Sequence, residues 1–343
     1  MDIEEHVPLA PQTTFGVGGA ARYHGVAQSL EDIQNGLAFA EAQGARLVCM
    51  GGGSNMLADD GEADALFLTT DVRGIVRDGE SLSIGAGEVW DDVVAYAVRE
   101  EMYGIENLSG IPGSMGGAVV QNIGAYGAAL SQHLSWVDVY DTRTNEEARL
   151  TNEACLFGYR DSVFKKDAGR YIILRAGLTL TREKKMNLSY KDVAAHMGGS
   201  ESSLPLLREA ILSIRAQKFP DLSKEGTAGS FFKNPIVSHE EGERLKHTYP
   251  DVPLFPLPEV GGSKVPLAWI LDHVLHLRGF ALGPVRCFEN QPLVLVADRG
   301  ATARDVRVLA LYIKTRMHEE VGIVIEPEVC VMRGADIAHT LDF

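Results

Sequence analysis

The stretch Ser109–Gly127, SGIPGSMGGAVVQNIGAYG, places six glycines in nineteen residues. It also carries Ile111, Val119, Val120, Ile123 and Tyr126, with Pro112 stiffening its start. Flexible linkers are rich in Gly and Ser but poor in hydrophobic residues. Glycine admits positive φ and lets backbone approach another body closely. A run with both properties reads as ordered main chain facing a ligand, and its length fits a large one.

The chain has 343 residues, 45% hydrophobic and 23% charged. That is an ordinary globular composition, and the length fits two or three domains. The net charge is −15, with no offsetting Lys/Arg cluster. This argues against nucleic acid and anionic membrane as partners, while a small anion held by a few local cations stays possible. The N-terminus, MDIEEHVPLA, is acidic and lacks the basic and apolar regions of a signal peptide, and no run of eighteen apolar residues occurs. Cys49, Cys155, Cys287 and Cys330 are far apart and form no metal-ligand pattern. They are expected to be buried thiols of a cytoplasmic protein without a metal, and the expected assembly is a monomer.

Near the start, TTFGVGG (Thr13–Gly19) reads as a turn. Ser29 with Asp32 marks a helix start, Ile33, Leu37 and Ala40 share its face, and Gly44 can close it. The strand Leu47–Met50 runs directly into GGGSN (Gly51–Asn55), an arrangement that aims backbone N–H groups at a phosphate. An ordinary tight turn is the plain alternative; beside the 109–127 run, a second phosphate cradle is favoured. Neither GxGxxG nor GxxxxGK[ST] occurs, so a Rossmann site and a P-loop are poorly supported. Strands are expected at 65–69, 81–85, 136–140 and 171–180, and helices at 90–102 and 205–218. Further on come helices at 238–247, 265–277 and 302–320, a strand at 293–297 and an exposed Pro-rich loop at 249–258. The segment 323–331, IVIEPEVCV, reads as a strand interrupted at Glu326-Pro327.

Two side chains invite opposed readings. Arg160, in FGYRDS, reads first as a structural ion pair with Asp161 or a neighbouring acid. A carboxylate within an apolar strand is costly unless paired or used, which points to Glu326 or Glu328. A proline-induced bulge that turns Glu326 to solvent is the alternative.

Taken together, TTFGVGG (13–19), GGGSN (51–55), SGIPGSMGGAVVQNIGAYG (109–127), GYRDS (158–162), GSFFKNP (229–235) and IEPEV (325–329) resemble the UDP-N-acetylenolpyruvoylglucosamine reductase family. The landmarks fall in the family's order across nearly the whole chain. The resemblance implies an α+β fold with a two-lobed FAD-binding domain of vanillyl-alcohol-oxidase type and an α+β substrate-binding domain. The first lobe is expected over 1–70, the second over 71–218 and the substrate domain over 219–322, with 323–343 packing back on the FAD region. The implied reaction completes UDP-N-acetylmuramate for peptidoglycan, and so serves cell wall, cell shape and cell division. NADPH reduces noncovalent FAD and leaves; a hydride then reaches the methylene carbon of UDP-N-acetylglucosamine enolpyruvate and a proton the adjacent carbon.

By the same resemblance, Ser230 delivers that proton, while Arg160 and Glu326 polarise the substrate carboxylate and stabilise the enol. FAD is assigned to Gly51, Gly52, Gly53, Ser54 and Asn55. In the long stretch it is assigned to Ser109, Gly110, Ile111, Pro112, Gly113, Gly116 and Gly117, then to Gln121, Asn122, Ile123 and Ala125. The substrate is assigned to Tyr126, Lys218 and Asn234. NLSYKD (187–192) looks like the tyrosine loop of the longer family type, with Tyr190 closing over the diphosphate, although an exposed loop tyrosine is the plain reading. Phe255 stands in place of a family tyrosine that stacks on the substrate, which keeps the ring and loses the hydroxyl.

Two other functions stay open. One is a flavin enzyme of the same fold acting on an alcohol, which leaves GSFFKNP and IEPEV unexplained. The other is a noncatalytic flavin-binding module, which does not require Ser230, Arg160 and Glu326 together.

Overall fold

A computed structural model describes residues 1–198, 202–258 and 261–338. The chain divides into two compact units. The first comprises 1–7, 21–53 and 64–217, and the second 8–20, 54–63 and 218 onward.

The first unit is built on two sheets. One orders the strands Ile3–Pro8, Ala20–Ala27, Glu62–Thr70 and Arg46–Met50, the last two parallel. The helix Leu30–Gln43 covers it, starting where Ser29 accepts from the Asp32 amide and ending at Gly44 with φ 63°. The other sheet is antiparallel, in the order Glu146–Thr151, Leu134–Asp141, Tyr171–Thr179, Ser81–Gly85 and Ile75–Asp78. Trp90, Val93, Val94, Met115 and Val119, from the helices Trp90–Arg99 and Met115–Gln121, are buried with this second sheet.

Among the described residues the second unit has three small sheets, and its main core takes in Phe15, Val17, Phe231, Val306, Leu309, Ile313, Ile323 and Val331. The apolar stripe of the helix Ala303–Arg316 is therefore core, as its period implies.

Several boundaries differ from the sequence expectation. The helix expected over 90–102 ends at Arg99, because Glu101 turns left-handed (φ 54°) and the Met102 amide returns to the Ala97 carbonyl at 2.8 Å. That is a Schellman closure, whose apolar residue beyond the turn packs on the helix face and mimics its continuation. The 265–277 helix shortens to Leu267–His273 in a similar way: the Leu275 amide returns to the Ile270 carbonyl, and Leu275 and Leu277 stay buried. The Pro-rich loop contains a strand, Phe255–Leu257, paired antiparallel with Gly262–Lys264. Only Cys330–Arg333 of the last segment forms a regular strand, parallel to Met56–Leu57.

The units also cut across the expected boundaries. Residues 8–20 and 54–63 group with the second unit. Ile323, Ile325, Val329 and Val331 lie in the core that contains Phe231 and Leu271. Residues 339–343 lie outside the described residues.

Cys49, Cys155 and Cys287 are free thiols. Burial pushes the Cys155 and Cys287 thiols up to about 12. Among the described residues, no helix is long and apolar enough to cross a membrane, and no cluster of three or more His, Cys, Asp or Glu could hold a metal.

Candidate active site

In the first unit, the GGG loop and the long glycine stretch come together. A Cβ at Gly51 would lie 2.3 Å from the Ser114 hydroxyl, and one at Gly52 would lie 3.1 Å from the Gly113 Cα. Only bare backbone can approach so closely. Ser114 bridges Val89, at the start of the helix Trp90–Arg99: the Trp90 amide donates to Gly113 O at 2.9 Å, and the Met115 amide to Glu88 O at 2.8 Å.

The amides of Gly52, Gly53, Gly113 and Ser114 donate to no protein acceptor among the described residues. Four converging N–H groups on glycine-bared backbone fit the diphosphate of a dinucleotide. The amides of Gly116 and Gly117, by contrast, are taken by Ala86 O at 2.8 Å and by the Ser114 hydroxyl at 3.3 Å. A Cβ at Gly116 would lie 3.2 Å from the Ala86 carbonyl oxygen, so this glycine permits close packing against Ala86. Ser114 was not among the residues expected from the sequence; its signal there is a helix-capping serine inside a glycine run.

Other expected cofactor residues do structural work with their side chains. The buried Ser109 hydroxyl donates to Glu106 O at 2.6 Å. The Asn122 carboxamide donates to Gly158 O at 2.8 Å and accepts from the Ser131 amide at 3.1 Å. Ile111 and Ala125 pack partly buried on the core that contains Ile123, and Gln121 is buried. Pro112 separates the left-handed Gly110 (φ 72°) from Gly113 (φ 115°). Ser54 and Asn55 belong to the second unit, where the Asn55 carboxamide donates to Glu328 O at 3.1 Å and the Cys330 amide to Asn55 O at 2.9 Å.

The far end of the stretch is a hairpin, Gly124–Ala125 against Ala128–Ala129. Its two turn residues, Tyr126 (φ 48°) and Gly127 (φ 82°), are both left-handed, as a primed turn requires. The Asn107 carboxamide donates to Tyr126 O at 2.8 Å and to Asn187 O at 2.9 Å, so one buried side chain joins this hairpin to the NLSYKD segment. The Tyr126 and Tyr190 rings meet edge to face at 5.2 Å. Tyr126 is buried and Tyr190 is 41% exposed. The two tyrosines expected to touch substrate are thus neighbours.

Arg160 is tied to the backbone of the glycine stretch. Asp161 pairs with Lys166 at 2.9 Å, while the Arg160 guanidinium donates to the carbonyls of Gly124 and Asn122. Its own carbonyl accepts from Lys165 Nζ at 2.9 Å, and the Ser162 hydroxyl ties the loop to Val120 O at 2.7 Å. Arg160 itself is left-handed (φ 54°). GYRDS is in this way fastened to the end of the glycine stretch.

In the second unit, GSFFKNP and IEPEV are hydrogen-bonded to each other. Phe232 bridges Pro327, the Lys233 amide donates to Glu326 O at 3.0 Å, and the Glu328 amide to Phe231 O at 2.8 Å. Ser230 bridges Val294 just after the left-handed Gly229, and its half-buried hydroxyl has no protein partner among the described residues. The Glu326 side chain is 71% exposed and lies 3.5 Å from Lys233 Nζ. The proline does turn it outward from the apolar segment, and its carboxylate has a cation beside it. The Asn234 carboxamide oxygen accepts from the Leu267 amide at 2.9 Å, capping a helix. Lys218 ends the helix Leu204–Lys218, and Phe255 is exposed beside Lys264, whose Nζ lies 6.0 Å from the ring.

Comparison with known proteins places these features in a family. Residues 24–147 match the model of an FAD binding domain, and 221–332 match the C-terminal domain of UDP-N-acetylenolpyruvoylglucosamine reductase. The chain is 38% identical to the Pseudomonas aeruginosa UDP-N-acetylenolpyruvoylglucosamine reductase over 96% of its own length and 98% of that protein's. It is 35% identical to the Amoebophilus asiaticus enzyme of the same name over 97% of its own length and 100% of that protein's. The fold is similar to the crystal structure of UDP-N-acetylenolpyruvylglucosamine reductase from Thermus caldophilus, with TM-score 0.69 and 22% identity, over 97% of this chain and 100% of that one. The α+β architecture, with an FAD-binding domain of vanillyl-alcohol-oxidase type, is as the landmarks implied. The chain belongs to the UDP-N-acetylenolpyruvoylglucosamine reductase family, as an oxidoreductase whose cofactor is FAD.

Proposed function

We propose that the chain uses NADPH to reduce the enolpyruvyl group of UDP-N-acetylglucosamine enolpyruvate to the lactyl ether of UDP-N-acetylmuramate, a step of peptidoglycan precursor synthesis. The observation that carries this reading is Ser230, a half-buried hydroxyl without a protein partner among the described residues, on a segment bonded to the one that bears Glu326. FAD, when bound, supplies the hydride that no side chain can. The amides of Gly52, Gly53, Gly113 and Ser114 hold its diphosphate, leaving the Ser230 hydroxyl to place a proton on the substrate carbon that becomes electron-rich. A serine is a weak acid, so it depends on charges that stabilise, as the enol, the carbanion left by hydride addition.

Arg160 and Glu326 take that role. Arg160 offers a planar fork to the substrate carboxylate; its carbonyl is held by Lys165, and Asn122 holds the Gly158 carbonyl of the same loop. Glu326 supports the protonated enol. Tyr190 and Lys218 meet the diphosphate, Asn234 donates with its amide nitrogen, and Tyr126 backs Tyr190. The proposed setting is the cytoplasm, with the chain acting as a monomer.

The test is direct. Purified protein is expected to be yellow with noncovalent flavin and to consume NADPH only when the enolpyruvyl substrate is added. A colourless protein that takes up no FAD, or one that oxidises an alcohol and ignores this substrate, refutes the reading. Arg160→Lys is expected to slow reoxidation of the reduced flavin by substrate about 10- to 100-fold, since a point charge replaces a two-pronged donor. Stopped-flow absorbance measures this, and an unchanged rate would return Arg160 to a purely structural role.

A further inference from the structure

Gly110, at the start of the glycine stretch, is held from both sides by residues of the first unit. Its amide donates to Asp91 Oδ1 at 2.6 Å, and its carbonyl accepts from Arg215 Nε at 3.0 Å. Asp91 is itself gripped in two-pronged fashion by Arg208, at 2.7 and 2.8 Å. Burial alone would raise the Asp91 carboxyl, but the bonds from Arg208 and from the Gly110 amide more than offset it and hold its pKa below the usual value.

Arg208 and Arg215 are seven residues apart on the helix Leu204–Lys218, so they lie two turns apart on one face. A Cβ at Gly110 would come within 2.8 Å of Leu212 on that same helix. The half-buried Arg215 guanidinium also hydrogen-bonds the side chain of Tyr126, sixteen residues further along the stretch. Arg215 therefore touches the stretch twice. Its first contact, Gly110, lies just before the open amides of Gly113 and Ser114; its second, Tyr126, carries the Tyr190 ring.

We propose that Arg215 is a positioning residue that sets both ends of the glycine stretch at once, fixing the cofactor-facing peptide through Gly110 and the substrate-facing ring pair through Tyr126. Asp91 and Arg208 complete the clamp on Gly110. Neither contact requires Arg215 to touch FAD or substrate. The flavin part stands on the assigned cofactor, and the substrate part rests on the reductase reading above.

The experiment compares holoenzyme of the unsubstituted chain with Arg215→Lys, Tyr126→Phe and the double variant. Three quantities are measured: flavin dissociation by fluorescence of released FAD, KM and kcat for UDP-N-acetylglucosamine enolpyruvate, and thermal unfolding. Loss of a hydrogen bond to a charged group corresponds to about 10- to 100-fold in an equilibrium constant.

Arg215→Lys is expected to weaken FAD retention about 10-fold and to raise KM about 10-fold, with a smaller change in kcat. Tyr126→Phe removes one hydroxyl and is expected to raise KM while leaving FAD retention unchanged. In the double variant KM is expected to be no higher than in Arg215→Lys, because both changes break the same bond. The proposal is overturned if Arg215→Lys retains FAD like the unsubstituted chain, or if the two KM effects multiply. An Arg215→Lys chain that does not fold leaves Tyr126→Phe to decide, and an unchanged KM there overturns the proposal as well. Turnover by the unsubstituted chain, measured first, separates failure of the reductase reading from failure of this one.

Discussion

In Ser230→Ala protein, NADPH is expected to bleach the flavin at an unchanged rate, whereas UDP-N-acetylglucosamine enolpyruvate is expected to reoxidise it about 10²- to 10⁴-fold more slowly. The backbone reasons for expecting so selective an effect are local. The Phe231 amide donates to Leu293 O at 2.9 Å, Ser230 bridges Val294, and the preceding Gly229 amide donates to the Thr227 hydroxyl at 3.2 Å. None of these bonds uses the Ser230 side chain. Alanine therefore removes a proton source and leaves its frame. Rapid mixing of the photoreduced or NADPH-reduced protein with substrate isolates the second half-reaction. A variant that reoxidises at the original rate would show Ser230 to be a turn serine and would take the proton-donor role from it.

The second large effect is on stability. Gly226→Ala is expected to destabilise the protein by about 3 kcal/mol or more, because overfilling a packed site forces the backbone apart. A Cβ at Gly226 would lie 1.9 Å from the Phe15 carbonyl oxygen and 2.7 Å from its carbon. Both are main-chain atoms, so no side chain can rotate out of the way. Around this point the Thr227 amide donates to Thr14 O at 2.9 Å, the Thr14 hydroxyl donates to Thr227 O at 2.7 Å, and Gly226 pairs with Ala297. Phe15 is fully buried and meets Phe231 edge to face at 6.4 Å. Thermal unfolding followed by circular dichroism is expected to show a midpoint lowered by about 6–12 °C. A midpoint within about 1 °C of the unsubstituted protein would mean that the two strands separate freely and that Gly226 carries no packing constraint.

TTFGVGG and EGTAGS illustrate what sequence could and could not reveal. Each reads locally as a glycine-containing turn or loop. Their partnership spans 213 residues, and no local pattern encodes it. Capping residues were legible because they act within four residues: Ser29, Ser238 and Thr302 all accept from the amide three positions on. The helix end at Met102 was misplaced because a Schellman turn keeps the next apolar residue on the helix face, and the one at Leu277 because Leu275 and Leu277 stay buried past the last helical turn. The strands Ile3–Pro8 and Ala20–Ala27 passed unnoticed, since IEEHVP and AARYHGVA mix charge and small residues without clean alternation.

The candidate site divides in the same way. Glycine-rich backbone and the motifs around Arg160, Ser230 and Glu326 stand out in the sequence, because their residue types are unusual where they occur. Ser109 and Asn122 were assigned to the cofactor by resemblance, and nothing in their residue type announced that their side chains also tie the stretch together. Asp91, Arg208 and Arg215 gave no signal at all. A charged residue on an amphipathic helix looks the same in sequence whether it points to water or to a carbonyl 105 residues away, as Arg215 does.

The interleaving of the chain has a practical corollary for dissecting it. A polypeptide begun at Lys218 would retain Ser230, Asn234 and Glu326 but would lack Phe15, Val17 and Leu57, which belong to the same core. Each missing side chain removes about 1.5–3 kcal/mol of apolar burial. Such a fragment would also leave the Cys330–Arg333 strand without Met56–Leu57 alongside it, a bare edge open to pairing with other copies. Expressed alone, the C-terminal segment is thus an incomplete object, and any exchange of it between relatives has to carry 8–20 and 54–63 with it.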